Sequence, residues 1–175
     1  MSRTVCITGS SDGIGHALAA ACLARGERVF GVSRRVPEDL TTNDGFSHLA
    51  LDLTDHEEVR WKLPVLFGKT RELDLLVLNA GTIGTFGDMV SGDLETMRRT
   101  MELNLWANQN ILSVIYSSGI TIKQVVAISS GASLSGNRGW GAYSLSKSAL
   151  NTLIKLYAAE RPETHFTAFA PGIVD

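Results

Sequence analysis

A strand of buried character running straight into a glycine-punctuated turn, Val5-Cys6-Ile7-Thr8-Gly9-Ser10-Ser11-Asp12-Gly13-Ile14-Gly15, constrains this chain more than any other stretch. Gly9 lets the chain leave the strand in a conformation closed to side chains, and Gly13 lets an anionic group approach the backbone. Gly15 lets the following helix pack close to the strand. That helix, predicted from Gly13 to about Ala24, directs its free N–H groups and positive dipole end at whatever lies over the turn. The spacing is Gly-x3-Gly-x-Gly rather than G-x-G-x-x-G. A turn of this composition also serves as a plain strand-to-helix connection, so the reading of a nucleotide site rests on the strand and helix around it.

Beyond this unit, apolar strand-like runs alternate with helical stretches, the pattern of an α/β fold with a doubly wound parallel sheet. Strands are predicted at about 4 to 8, 28 to 33, 47 to 51, 74 to 79, 123 to 129 and 164 to 170, and helices at about 13 to 25, 55 to 68, 93 to 118 and 142 to 160. Thr54 and Glu57 stand in capping-box spacing, Pro64 is expected to kink or end the second helix, and Pro162 to stop the last. With 175 residues, 44% hydrophobic and 19% charged, the chain is expected to form a single domain over 1–175. A net charge of −2 supplies no field for nucleic acid. The apolar runs are too short to span a bilayer, and Met1-Ser2-Arg3-Thr4 has no signal-peptide layout, so the expected compartment is cytoplasmic. Cys6 and Cys22 lack metal-ligand spacing and read as reduced core residues; no metal is expected.

Tyr143-Ser144-Leu145-Ser146-Lys147 puts a phenol and an ammonium at i and i+4, on one helix face. A cation there stabilises the deprotonated phenol and equips Tyr143 to exchange a proton with a substrate oxygen. Taken alone, the pair fits a solvated surface equally well. Ser130 follows the strand 123 to 129, where open α/β sheets place ligands, and is able to donate to a carbonyl oxygen; a serine at a strand end also commonly caps a turn.

Together these residues resemble the classical branch of the short-chain dehydrogenase/reductase family. The matches are Thr8-Gly9-x3-Gly13-x-Gly15, Asp52-Leu53, Asn79-Ala80-Gly81, Asn104, Ser130, Tyr143-x3-Lys147 and Pro171-Gly172, in the family's order over essentially the whole chain. The resemblance implies a Rossmann-type sheet in the order 3-2-1-4-5-6, a nicotinamide cofactor, and hydride transfer between that cofactor and a carbonyl or alcohol. It assigns Ser130, Tyr143 and Lys147 to catalysis and Asn104 to a water-linked proton relay. Cofactor contacts fall to Gly9, Ser11, Gly13, Ile14 and Gly15, and to Ser33, Arg34 and Arg35. Further contacts come from Asp52 and Leu53 at the adenine, Asn79, Ala80 and Gly81 near a ribose, Tyr143 and Lys147 again, and finally Pro171, Gly172 and Ile173. Without the resemblance, Asn104 is a solvent-facing or helix-kinking polar residue, and Asn79-Ala80-Gly81 an ordinary strand-ending turn.

Charge bears on the cofactor. An acidic residue ending the second strand would hold a ribose diol, whereas this chain offers Val32-Ser33-Arg34-Arg35, and a guanidinium suits a 2'-phosphate. NADP(H) is expected over NAD(H), with Asp12 in the glycine turn opposing the preference and a solvated loop as the other reading of Arg34 and Arg35. Leu134, Asn137, Arg138 and Trp140 are expected to border the substrate. The run Gly139-Trp140-Gly141-Ala142-Tyr143 looks like that of sepiapterin and benzil reductases, which implies a ketone beside an aromatic group, with Trp140 either stacking on it or anchoring the helix start. The rival readings are an NAD-dependent alcohol oxidant of the same family and a non-catalytic NADP-binding module.

Two expectations concern what surrounds the domain. Helices 93–118 and 142–160 are apolar around much of their circumference and must be covered by something; members of the family that the chain resembles pack these two helices against their symmetry mates, so the resemblance implies an isologous homodimer there, the other reading being a wide intramolecular stripe. The family pattern continues past Asp175 to a substrate lid and a seventh strand. The expectation is therefore of a form lacking both, with Thr164 to Ala170 as an exposed edge strand, that binds NADP(H) and turns over poorly.

Overall fold

The computed structural model describes residues 2–172. Six parallel strands form the main sheet: β1 (Thr4–Thr8), β2 (Arg28–Ser33), β3 (Phe46–Ala50), β5 (Leu75–Leu78), β7 (Gln124–Ile128) and β8 (His165–Phe169). Their order is β3-β2-β1-β5-β7-β8, the doubly wound order that the resemblance implies. Two short strands not foreseen from sequence, β4 (Glu72–Leu73) and β6 (Thr121–Ile122), pair with each other in a separate parallel ribbon. The helices are α1 (Gly13–Ala24), α2 (His56–Phe67), α3 (Leu94–Met101), α4 (Ala107–Ser117) and α5 (Gly141–Glu160). Among the described residues, no helix is long and apolar enough to cross a membrane.

Both faces of the sheet are buried along its central strands, as a parallel sheet requires, while at the edge β8 leaves His165, Ala168 and Phe169 exposed. Alternation along β1 sends Val5 and Ile7 to the side covered by α1, where they meet Ala19, Cys22 and Leu23. Cys6 points the other way, into the larger core of Phe30, Leu76, Leu78 and Val125, closed by Leu63 and Phe67 of α2, Ile111 and Ile115 of α4 and Leu150 of α5. Both cysteines are free and buried.

Three local expectations are corrected. The cap of α2 is Asp55, which accepts from Glu58 N, because Thr54 is occupied elsewhere: its hydroxyl donates to Asp52. Pro64 does not stop that helix, which keeps its last turn through Phe67. The anchor is tertiary, with the Phe67 ring edge-on to Phe30 at 5.2 Å. Finally, the helix expected over 93–118 is interrupted by a π turn, Glu102–Trp106, centred on Asn104.

Candidate active site

The C-terminal ends of β1, β2, β3 and β5 open onto one cavity of about 700 Å³, lined by residues that immediately follow those strands. It lies where the connections from β1 and β5 diverge to opposite sides of the sheet, the place such sheets bind ligands. Of the residues assigned from sequence to the cofactor, Gly9, Ser11, Gly13, Ile14, Ser33, Arg34, Arg35, Asp52, Leu53, Asn79, Ala80 and Gly81 line it. Gly15, Tyr143 and Lys147 lie outside its lining, as do Pro171, which is half-buried, and Gly172, which is exposed; Ile173 lies outside the described residues.

The glycines divide the labour. A Cβ on Gly15 would lie 2.2 Å from the Gly9 carbonyl oxygen and 2.4 Å from Asn79 Nδ2, so its lack of a side chain is what lets α1 sit on the strand ends. Gly13, by contrast, has φ +52° and nothing within 4 Å of the position a Cβ would fill. Bare backbone at the start of α1 therefore faces open space, as a cradle for a pyrophosphate should. Asn79 braces the turn by donating from Nδ2 to the carbonyls of Thr8 (3.0 Å) and Gly9 (3.1 Å). Thr8, part of the glycine motif but given no role from sequence, accepts at Oγ1 from the backbone N–H groups of both Asn79 and Ala80.

Around the β2 and β3 ends the polar groups are already engaged. Ser33 Oγ lies 2.8 Å from Arg35 O and from His48 Nε2, a buried, protein-internal role that fixes the backbone carrying the two arginines. Asp52 Oδ1 accepts from the backbone N–H and hydroxyl of Thr54; those bonds, assisted by the Arg34 charge, hold its carboxyl below the usual range. Arg35 is not free: its Nη2 donates to Asp12 Oδ2 at 3.0 Å. Arg34 makes no ion pair or side-chain hydrogen bond among the described residues. Sequence reasoning also missed Thr82, Arg99, Glu102 and Leu103 in the lining. The last three recur at i, i+3 and i+4 on one helical face, a periodicity visible in the sequence but without a direction until the helix is placed.

The second group of residues assembles on α5. Tyr143 lies in its first turn and Lys147 one turn on, with Nζ 5.7 Å from the phenol ring centroid. Lys147 is 4% exposed, donates to Ile128 O at 2.7 Å, and is pulled down to about 8 by burial. A Cβ on Gly81 would sit 3.6 Å from that ammonium and 3.1 Å from Asn104 Oδ1, so the turn after β5, the π turn and α5 meet here. Asn104 is fully buried: Oδ1 accepts from Thr82 N, and Nδ2 donates to Thr82 O and Ser146 Oγ. Ser130 caps the short turn Gly131–Ser133 by accepting from Ala132 N. That turn is tied to α5 through Ser148 Oγ to Ser133 O (2.6 Å) and Asn151 Nδ2 to Ser133 Oγ (2.9 Å).

Of the expected substrate-bordering residues, Trp140 packs edge-on against Phe86 at 4.5 Å and lies 5.6 Å from Tyr143, an anchoring contact. Arg138 grips Asp88 in a two-pronged ion pair of 2.7 and 2.6 Å. With Asn137 it lines a separate cavity of about 310 Å³ beside Ser144 and Leu145, while Leu134 is exposed.

Comparison with known proteins agrees with this fold. The family model described as short chain dehydrogenase matches residues 3–175. The benzil reductase ((S)-benzoin forming) of Bacillus cereus is 30% identical over 189 residues, spanning 99% of this chain and 76% of that protein. An NADPH-dependent pterin aldehyde reductase of Arabidopsis thaliana is 29% identical, with coverage of 99% and 76%. The solved structure of ElxO with NADP bound superposes with a TM-score of 0.88 at 26% identity, over 100% of this chain and 75% of that one. The six-stranded frame that carries these residues is shared with those proteins: the chain belongs to the short chain dehydrogenase family of oxidoreductases.

Proposed function

We propose that the chain is an NADP(H)-dependent carbonyl reductase acting on a ketone or aldehyde that carries an aromatic or second carbonyl group. The observation that carries the reading is the buried Lys147 ammonium, held between Ile128 O and the Gly81 turn, one helical turn from Tyr143. When bound, the reduced nicotinamide supplies the hydride. The open Gly13 cradle would hold its pyrophosphate, Arg34 and Arg35 the 2'-phosphate, and Asp52 and Leu53 the adenine. Ser130 donates a hydrogen bond to the substrate carbonyl oxygen, and Tyr143 delivers its proton to that oxygen as charge develops there. The Lys147 cation favours the phenolate that Tyr143 becomes. The substrate class draws on the benzil reductase and pterin aldehyde reductase among the relatives.

A second reading, an NAD-dependent alcohol oxidant, draws on one observation, the engagement of Arg35 by Asp12. A panel of aromatic, dicarbonyl, sugar and steroid ketones with both cofactors separates the two. Arg34→Asp should lower kcat/KM with NADPH relative to NADH by about 30-fold, the equivalent of about 2 kcal/mol for a charge-assisted contact. Tyr143→Phe should abolish turnover while NADPH still binds; turnover equal to the wild type would remove the proposed mechanism. We also propose that α3, the π turn and α5 form an isologous dimer face, since Leu94, Trp106, Leu145 and Leu156 stay exposed there.

A further inference from the structure

Asn137 and Arg138, expected from sequence to border the substrate, open instead onto a second cavity of about 310 Å³ between the loop after β5 and the start of α5. It shares no lining residue with the large cavity at the strand ends. Its helical wall is Gly141, Ser144 and Leu145, at i, i+3 and i+4 on α5. Tyr143 and Lys147 leave that helix about 130° further round, so the cavity lies behind them and not in front. Met89 closes on it from the loop and presses on the helix start, where Gly141 has no room for a Cβ beside the Met89 sulfur. The two sides are joined: Gly87 N donates to Gly139 O at 3.2 Å, and the Arg138–Asp88 ion pair spans the same two segments. The helix end gives this space a polar pole. α5 begins without a side-chain cap, and the N–H groups of Gly141, Ala142 and Tyr143 meet no acceptor among the described residues. A long helix places the positive end of its dipole there. Ser144 is 9% exposed, and its buried Oγ has no hydrogen-bond partner, a rare condition for a native hydroxyl. Arg138 and Asp88 offset each other, so the helix end and Ser144 set the sign of what fits.

We propose that this cavity is a binding site for a small carboxylate with an apolar body, about the size of benzoate. The carboxylate would accept from the first N–H groups of α5 and from Ser144 Oγ, giving both kinds of donor the partner they lack within the chain. The apolar body would lie between Met89 and Leu145. The volume admits a ligand of on the order of ten non-hydrogen atoms, at the small end of ligand cavities. Inorganic phosphate suits it less well, because Met89 and Leu145 would strip water from the outward oxygens and return no hydrogen bond. The site uses no side chain assigned to the cofactor or to proton transfer, so it stands or falls independently of the proposed reductase activity.

The test is an amide NMR titration of the whole chain, with and without NADPH, using benzoate, its neutral analogue benzamide and inorganic phosphate as probes. Benzoate should bind with a Kd on the order of 1 mM in both conditions, and the largest shifts should fall on the N–H groups of Gly141, Ala142 and Ser144. Benzamide and phosphate should each bind about tenfold more weakly. Ser144→Ala should weaken benzoate about tenfold. Because Ser144 Oγ has no partner to lose, that variant should melt no lower than the wild type without ligand. Met89→Trp, which fills the cavity, should abolish binding; if it fails to fold, Ser144→Ala decides the matter. Equal benzoate affinity in the wild type and Ser144→Ala overturns the inference, as do shifts confined to the large cavity or to Ser130. Phosphate binding tighter than benzoate overturns the carboxylate assignment and the proposal with it. No benzoate binding at all, the result expected if a second copy of the chain fills the cavity, overturns it too.

Discussion

Lys147 reaches from the second turn of α5 to the carbonyl oxygen of Ile128, which accepts its hydrogen bond at 2.7 Å. The contact ties the helix bearing Tyr143 to the end of β7, just before Ser130, and it does so with a group that is 4% exposed. One neutral acceptor does not repay the water lost by an ammonium, which is why burial pulls the amine down to about 8 from its ordinary 10.5.

The sign of that shift sets a pH dependence of stability. Below pH 8 Lys147 is charged both folded and unfolded, and the folded state bears the full desolvation cost. Between 8 and 10.5 the folded chain releases the proton first, so unfolding takes a proton up and stability from this group rises with pH. The unfolding free energy of the wild type relative to Lys147→Met should therefore climb by on the order of 3 kcal/mol across that window. Urea unfolding at steps from pH 7 to 10.5 measures it; a flat difference would refute the assignment.

Gly15 and Gly13 should fail in different ways. At Gly15 an alanine Cβ meets the Gly9 carbonyl and Asn79 Nδ2, both fixed by backbone and side-chain bonds. Gly15→Ala should cost about 3 kcal/mol and lose cofactor binding along with stability. Gly13→Ala meets no atom but carries a positive φ, a cost of about 1 kcal/mol, and puts a methyl group into the cradle. Thermal melts paired with NADPH titration should show Gly13→Ala folded and binding-deficient; a Gly13→Ala chain that binds NADPH normally would displace the pyrophosphate from this turn.

Asn104 carries a structural duty that can be measured apart from any proton relay. Asn104→Ala takes away the partners of the Thr82 N–H and carbonyl, at a cost of about 2 kcal/mol for two part-buried hydrogen bonds. Chemical denaturation should register that loss without cofactor or substrate present. A loss under about 0.5 kcal/mol would mean that the turn after β5 finds other partners.

What the sequence disclosed and what it hid follow physical lines. The β1–turn–α1 unit was legible because Gly9, Gly13 and Gly15 answer to local backbone geometry, and the central strands because their apolar runs are buried on both faces. The π turn was not legible: Asn104 is held by Thr82 and Ser146, far away in sequence, and no local signal announces the widened turn. Pro64 misled because the last turn of α2 is kept by Phe67 against Phe30, a tertiary contact that outweighs local propensity. Arg35 was visible as a cation, but its pairing with Asp12 depended on the two loops lying side by side.

The apolar residues left outside the core lead to the last prediction. Leu145 and Leu156 are three helical turns apart, on one face of α5, each 55% exposed. Beside them α3 and the π turn pack on α5 and present Leu94 at 58% and Trp106 at 49%. Four large apolar side chains at half exposure on neighbouring elements form a patch that a monomer has reason to cover. A two-fold axis through the patch would bury it against its own copy. Light scattering at micromolar concentration should give twice the chain mass, and Leu145→Glu with Leu156→Lys should halve it. The same substitutions lie outside the core and should leave the unfolding free energy of the separated chain within about 0.5 kcal/mol. A monomeric mass for the wild type would rule out this face as a dimer contact.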